Sequence, residues 1–150
     1  MKAHVDAVCI SLAKGEKKTP VERVELKENH GIVGDAHAGE WHRQVSFLAR
    51  ESIAKMWALG LTVDAGDFAE NITTVGIDLV GLPIGTRLAV GEAVLEVTQI
   101  GKECHARCAI YYQAGDCVMP KEGIFARVIR GGAVTPGDPV CRLPSGSPLP

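Results

Sequence analysis

The sequence holds no apolar run approaching the ~18 residues that a membrane helix requires. Its opening, Met1-Lys2-Ala3-His4-Val5-Asp6, lacks the long apolar stretch of a signal peptide. No membrane association is therefore expected, and the expected compartment is the cytoplasm. Positive charge is not in excess: the formal net charge is −2. That argues against nucleic-acid binding, which needs a basic field, although it leaves room for a local basic pocket that takes a small anion. The glycines form no Walker or dinucleotide fingerprint. No Ser-His-Asp motif, paired-carboxylate pattern, internal repeat or domain linker stands out. The five cysteines are an odd number, a poor fit to a disulfide framework, and cytoplasmic thiols stay reduced. Reactive, metal-bound or buried thiols are the readings left.

What is present is an ordinary globular composition, 46% hydrophobic and 23% charged over 150 residues, enough chain to bury a core in one domain. That domain is expected over residues 1–143, with the Pro/Ser/Gly tail 144–150 disordered. Val5–Leu12 reads as a strand with Cys9 toward the core, because cysteine is among the most buried residue types. Lys14–Pro20 is a polar turn cluster. Val21–Leu26, Val45–Leu48, Arg87–Val90, Ala93–Ile100, Ile124–Ile129 and Val140–Leu143 read as further strands, with Gly91-Glu92 as a hairpin turn. Phe68–Thr74 is short and extended. Ala49–Leu59 is the good helix candidate, with Ile53, Met56 and Trp57 at helical spacing for the core and Gly60 as a stop. Many short strands, frequent glycine turns and one or two inserted helices predict a mainly β protein, a closed or nearly closed β-barrel.

Two stretches carry chemistry. Gly101–Cys117 follows a buried strand and holds Cys104, Cys108 and Cys117 beside Lys102, His105 and Arg107. Neighbouring cations lower a thiol's pKa, and the thiolate is both nucleophile and metal ligand. If the chain turns helical after Cys104, Cys108 shares its face as a resolving thiol or second ligand. Sulfur transfer through a Cys104 persulfide, thiolate ligation of a soft metal, and a structural zinc site from the three cysteines with His105 or His37 all remain open. Only one knuckle-like pair, Cys104-x₃-Cys108, supports zinc, and three buried, inert thiols are the plain alternative. The second stretch, Asn29–Arg43, gathers glycines with His37, His42 and Arg43. Backbone amides beside Arg43 would suit a phosphate or other small oxyanion.

In this order the residues resemble the MOSC domain family, the domain at the C-terminal end of molybdenum cofactor sulfurases, in its small stand-alone form. The matching pieces are Gly31-Ile32-Val33-Gly34-Asp35-Ala36-His37, His42-Arg43-Gln44-Val45-Ser46, Glu70-Asn71-Ile72-Thr73, Leu82-Pro83-Ile84-Gly85, Cys104 after a strand, and Arg127–Gly132 leading to Pro136-Gly137-Asp138. They span about Gly31 to Val140. The resemblance implies a pyruvate-kinase-barrel-like fold and a bound molybdenum–molybdopterin cofactor. It implies that Cys104 ligates molybdenum or carries sulfur; Cys108 and Cys117 have no fixed counterpart in the family and stay as further candidate thiols. His37, His42, Arg43, Asn71, Lys102 and Arg107 become the expected cofactor-binding residues. The chain has no desulfurase domain, so pyridoxal phosphate is expected only on a cysteine desulfurase partner. A molybdoenzyme is the other expected partner. Some relatives reduce N-hydroxylated compounds, which gives an alternative activity that needs an outside electron source. A zinc-stabilised, non-catalytic binding module is the remaining alternative.

Overall fold

Residue alternation and one helical crossover account for most of the architecture. The computed structural model describes residues 3–14, 16–101 and 119–144. Strands β1 (His4–Ile10), β2 (Thr19–Val21), β5 (Val45–Ala49), β6 (Ile72–Val75), β7 (Arg87–Val90), β8 (Ala93–Ile100), β9 (Ile124–Arg130) and β11 (Val140–Arg142) form one sheet in the order β11-β7-β8-β9-β5-β6-β1-β2. Strands β3 (Val24–Lys27), β4 (Gly31–Ile32) and β10 (Gly132–Val134) form a second, in the order β10-β3-β4. Every pairing is antiparallel except β5 with β6. A parallel pair cannot be joined by a tight turn, and here the nine-residue helix α1 (Arg50–Ala58) begins the crossover. A second short helix, α2 (Met119–Glu122), leads into β9.

Strand β5 is buried along its whole length because both of its faces are covered. Val45, Phe47 and Ala49 point, at the strand's period of two, into the main core with Val5, Ile72, Leu88, Leu95 and Ile124. Leu48 points the other way, into a smaller cluster with Ile53 and Met56 of α1 and with Phe68 and Phe125. Trp57, expected in the core, is 42% exposed instead. Helix α1 spends its apolar stripe on Ile53 and Met56, and the Trp57 indole lies under the Arg50 guanidinium while its Nε1 donates to the Val63 carbonyl.

The strand count predicts a closed or nearly closed barrel; among the described residues no continuous ladder closes the main sheet. The inner half of one edge of β1 pairs with β2. The outer half meets the chain just before β11 through an isolated bridge, His4 to Pro139, and the bonds Val5 N–H to Asp138, Gly137 N–H to Val5 and Val140 N–H to Ala3. His4 and Pro139 form a non-hydrogen-bonded pair, with the Pro139 carbonyl turned away to accept Gly91 N–H, and the turn at Pro136-Gly137 takes the chain away. No helix among the described residues is long and apolar enough to cross a membrane. The expected disordered tail lies outside the described residues beyond Pro144.

Phe47 is fully buried at the centre of the main core. Phe47→Ala is expected to lower unfolding free energy by about 3–5 kcal/mol, read as a shifted urea midpoint with an unchanged slope.

Candidate functional site

The polar centre of the molecule is a lysine that local sequence marks as surface. Lys18 enters β2, and its side chain is wholly buried, as is that of Asp35, which follows β4. Lys18 Nζ donates to Asp35 Oδ1 at 2.7 Å and to Ser11 Oγ at 3.0 Å, and it lies 3.0 Å from His37 Nδ1. Asp35 also accepts the amides of Ser11 (3.1 Å) and His37 (3.1 Å), the second closing an Asx turn. Burial pushes the Asp35 carboxyl up, but the hydrogen bonds from Lys18, Ser11 and His37 outweigh it and hold the group below the usual carboxylate range.

From this pair a strip of rings and donors runs across the surface. His37 stacks on Trp41 with centroids 6.4 Å apart and planes 6° from parallel. Trp41 Nε1 donates back to the His37 carbonyl at 2.8 Å, and Lys14 Nζ lies 4.9 Å above the indole. The edge of Trp41 meets His42, whose Nε2 is 2.9 Å from Gln99 Oε1. Arg43 Nε donates to that same oxygen at 3.1 Å, and its guanidinium lies 5.2 Å over the Phe125 ring. Among the described residues no acceptor meets the two Nη atoms of Arg43. A bulge between Val97 and Gln99 aims this end of β8 at the strip. Thr98 Oγ1 donates its one hydrogen to the His42 carbonyl and lies 3.2 Å from the Phe125 carbonyl, and Gln99 Nε2 donates to the Gly101 carbonyl at 2.7 Å. Gln44 pins the strip from below: its Oε1 accepts Val128 N–H at 2.8 Å and its Nε2 donates to Asn29 at 3.1 Å.

The Glu70-Asn71 pair lies underneath and is entirely buried. Asn71 Oδ1 accepts the Ser46 amide and hydroxyl, and its Nδ2 donates to the Cys9 carbonyl at 3.1 Å. The side chain is thus spent on tying β5 to β1. Glu70 clasps the preceding turn: its Oε1 accepts Gly66 N–H at 2.9 Å and Phe68 N–H at 3.3 Å, and Oε2 accepts the Thr73 hydroxyl. Gly66, at φ +89°, passes so close to Lys18 that an added Cβ would sit 2.1 Å from the Lys18 carbonyl oxygen. The Gly66 carbonyl takes the Lys18 amide, so the clasp also places the lysine. Burial raises the Glu70 carboxyl to about 7, against the pull of its hydrogen bonds. Burial, helped by the Glu70 charge, pushes the Cys9 thiol up to about 12. Cys9 is therefore the inert core thiol that its strand position predicts.

Of the residues expected at the site, His37, His42 and Arg43 come together on the strip, and Asn71 supports it from within the sheet. Lys102, Cys104, Arg107, Cys108 and Cys117 lie outside the described residues. Among the described residues no three potential ligands gather for a metal ion. Lys18, Trp41, Gln99 and Glu70 are the participants that sequence reasoning missed. The Trp41 indole beside three histidine and arginine positions was the available signal.

The profile of the MOSC domain family matches residues 34–141. No curated protein resembles the sequence closely enough to count as a match. Among solved structures, the fold is similar to that of the YuaD protein from Bacillus subtilis, with TM-score 0.77 and 20% identity over 93% of this chain and 94% of that one. It is also similar to YiiM from Geobacillus stearothermophilus, with TM-score 0.71 and 20% identity over 96% and 76% of the two chains. YiiM from Escherichia coli gives TM-score 0.68 and 23% identity over 99% and 73%.

Glu70 sets a pH signature. A carboxyl whose folded pKa lies above its unfolded one favours folding most when both states are protonated, and that advantage is lost as pH rises. Stability should fall by about 3 kcal/mol between about pH 4.5, the carboxyl's ordinary value, and about pH 7, then level off. Glu70→Gln keeps an oxygen to accept the Gly66 and Phe68 amides and places an NH2 group beside the Thr73 hydroxyl, without the charge. It is expected to flatten that decline when urea unfolding is compared at about pH 5 and about pH 8.

Proposed function

Because the chain belongs to the MOSC domain family, we propose that it binds the molybdenum cofactor and carries or sulfurates it through a reactive cysteine, with Cys104 as that thiol. The observation that supports this reading is the Arg43 corner. The guanidinium is fixed by Gln99 and Phe125 while both Nη atoms remain without an acceptor among the described residues. A planar fork held in this way suits two oxygens of a phosphate. His42 adjoins it, and among the described residues no carboxylate takes the arginine's charge. The donor set therefore fits the cofactor's phosphate.

The same Gln99 that orients Arg43 also holds the Gly101 carbonyl. Three peptide units separate Gly101 from Cys104, a reach of about 11 Å at most. On this reading the sulfur at position 104 works beside the phosphate-binding fork. Lys102 and Arg107 would add positive charge and favour the Cys104 thiolate. Cys108 and Cys117 would serve as relay or resolving thiols. Bound there, the cofactor supplies a redox-active molybdenum centre with an exchangeable sulfur ligand. The chain's own tasks are to hold the phosphate, present the thiolate and receive sulfur as a persulfide from a cysteine desulfurase partner.

Protein purified from cells that make the cofactor should carry molybdenum and a fluorescent pterin. Cys104→Ser should lose the metal with an unchanged melting curve, and full retention of molybdenum would remove Cys104 as the ligand. Arg43→Ala should weaken pterin retention by about 10- to 100-fold, the worth of a charge-assisted hydrogen bond. An artificial electron donor with an N-hydroxylated base separates the roles: loaded protein acting as a carrier gives no turnover.

A further inference from the structure

We infer that Lys18 holds His37 as a neutral imidazole with its proton on Nε2, which makes that nitrogen a fixed hydrogen-bond donor. The argument is a count of hydrogens. An ammonium has three to donate and can accept none. Lys18 Nζ has three acceptors within reach: Asp35 Oδ1 at 2.7 Å, Ser11 Oγ at 3.0 Å and His37 Nδ1 at 3.0 Å. A buried cation leaves no donor idle without cost, so all three contacts are hydrogen bonds and His37 Nδ1 is the acceptor in its own. The ring's proton must then sit on Nε2. A neutral lysine amine would supply only two hydrogens for the same three acceptors and would leave Asp35 as a buried carboxylate without its counter-charge.

The doubly protonated ring is excluded by the same contact, because it would set an N–H against the ammonium at 3.0 Å. Asp35 works in the other direction, since its Oδ2 is 4.0 Å from Nδ1. Lys18 wins on two grounds: it is nearer, and it already neutralises that carboxylate through the 2.7 Å ion pair. Lys14 above Trp41 and His42 at the edge of the same indole also lie near the ring. Neither contributes an anion that would favour imidazolium. His37 therefore enters the strip as a neutral donor, and among the described residues of the strip the charge for an anion comes from Arg43 and Lys14. Lys18 is a positioning residue that acts through His37. The assignment concerns the protein alone and stands whether or not the molybdenum cofactor is the ligand.

The test is imidazole nitrogen NMR on the uniformly labelled full chain, with the His37 signals assigned by loss in His37→Gln. Nδ1 should be the unprotonated nitrogen and Nε2 the protonated one, persisting down to about pH 5.5, one unit below histidine's ordinary midpoint. Lys18→Met removes the donor and leaves Asp35 free to favour imidazolium. It should raise the pH at which His37 charges by about one unit or more. A wild-type spectrum with the proton on Nδ1, or an imidazolium at about pH 6.5, overturns the assignment even if Lys18→Met fails to fold. A folded Lys18→Met variant whose His37 signals match the wild type overturns it as well.

Discussion

The buried Lys18–Asp35 pair is the constraint on which the functional face depends. Removing two charges from water is expensive, and attraction repays it only when the geometry is good and the remaining donors and acceptors are met. Here they are met. The ammonium has three partners and the carboxylate accepts two amides besides the lysine. Those partners come from the segment after β1, the entry to β2 and the turn after β4, so one interaction fixes three loops together. The direction of Asp35's shift, below the usual carboxylate range despite full burial of its side chain, is the electrostatic sign that the site is satisfied.

Strand β5 carries that order into the strip. Its residues alternate between two cores, and this sets its register against β6 and β9 without freedom to slip. Ser46 in the same strand is locked to Asn71, and Gln44 just before it is locked to Val128 and Asn29. Arg43 is therefore the first residue outward from a rigid anchor. Its side chain gains a second fixed point at Gln99, where the β8 bulge turns the strand toward it. Residues that bind ligands are precise when rigid elements hold them, and the Arg43 guanidinium is held from two strands at once.

Much of this was legible because the responsible signals are local. Strands β7 and β8 fall at the predicted boundaries because Gly91-Glu92 punctuates two alternating runs. Helix α1 follows its apolar spacing and its glycine stop. Histidines and Arg43 in the glycine-rich segment do converge. Lys18 was not legible: it sits in a lysine-rich polar run, and nothing nearby distinguishes it from Lys17. Its burial comes from Asp35, seventeen residues on, and from the Gly66 carbonyl. Strands β4 and β10 were missed because two- and three-residue strands exist only through distant partners. The degree of barrel closure was not legible because strand number says nothing about how far the last seam bonds. At that seam β1 meets the chain before β11 through one isolated bridge and a few backbone bonds.

Strand β2 shows how the opposite margin of the sheet is finished. Cys9 sends its amide to Asn71 on the β6 side, so its cross-strand neighbour Pro20 occupies the position whose nitrogen faces away from the sheet. In a strand of three residues that is the one place where an outward amide could recruit a foreign chain. A proline there offers none, and edge prolines are among the devices by which proteins resist strand addition. The margin nearest the buried lysine is thereby closed to templated self-association, and the apolar main core gains protection from aggregation through a single missing hydrogen.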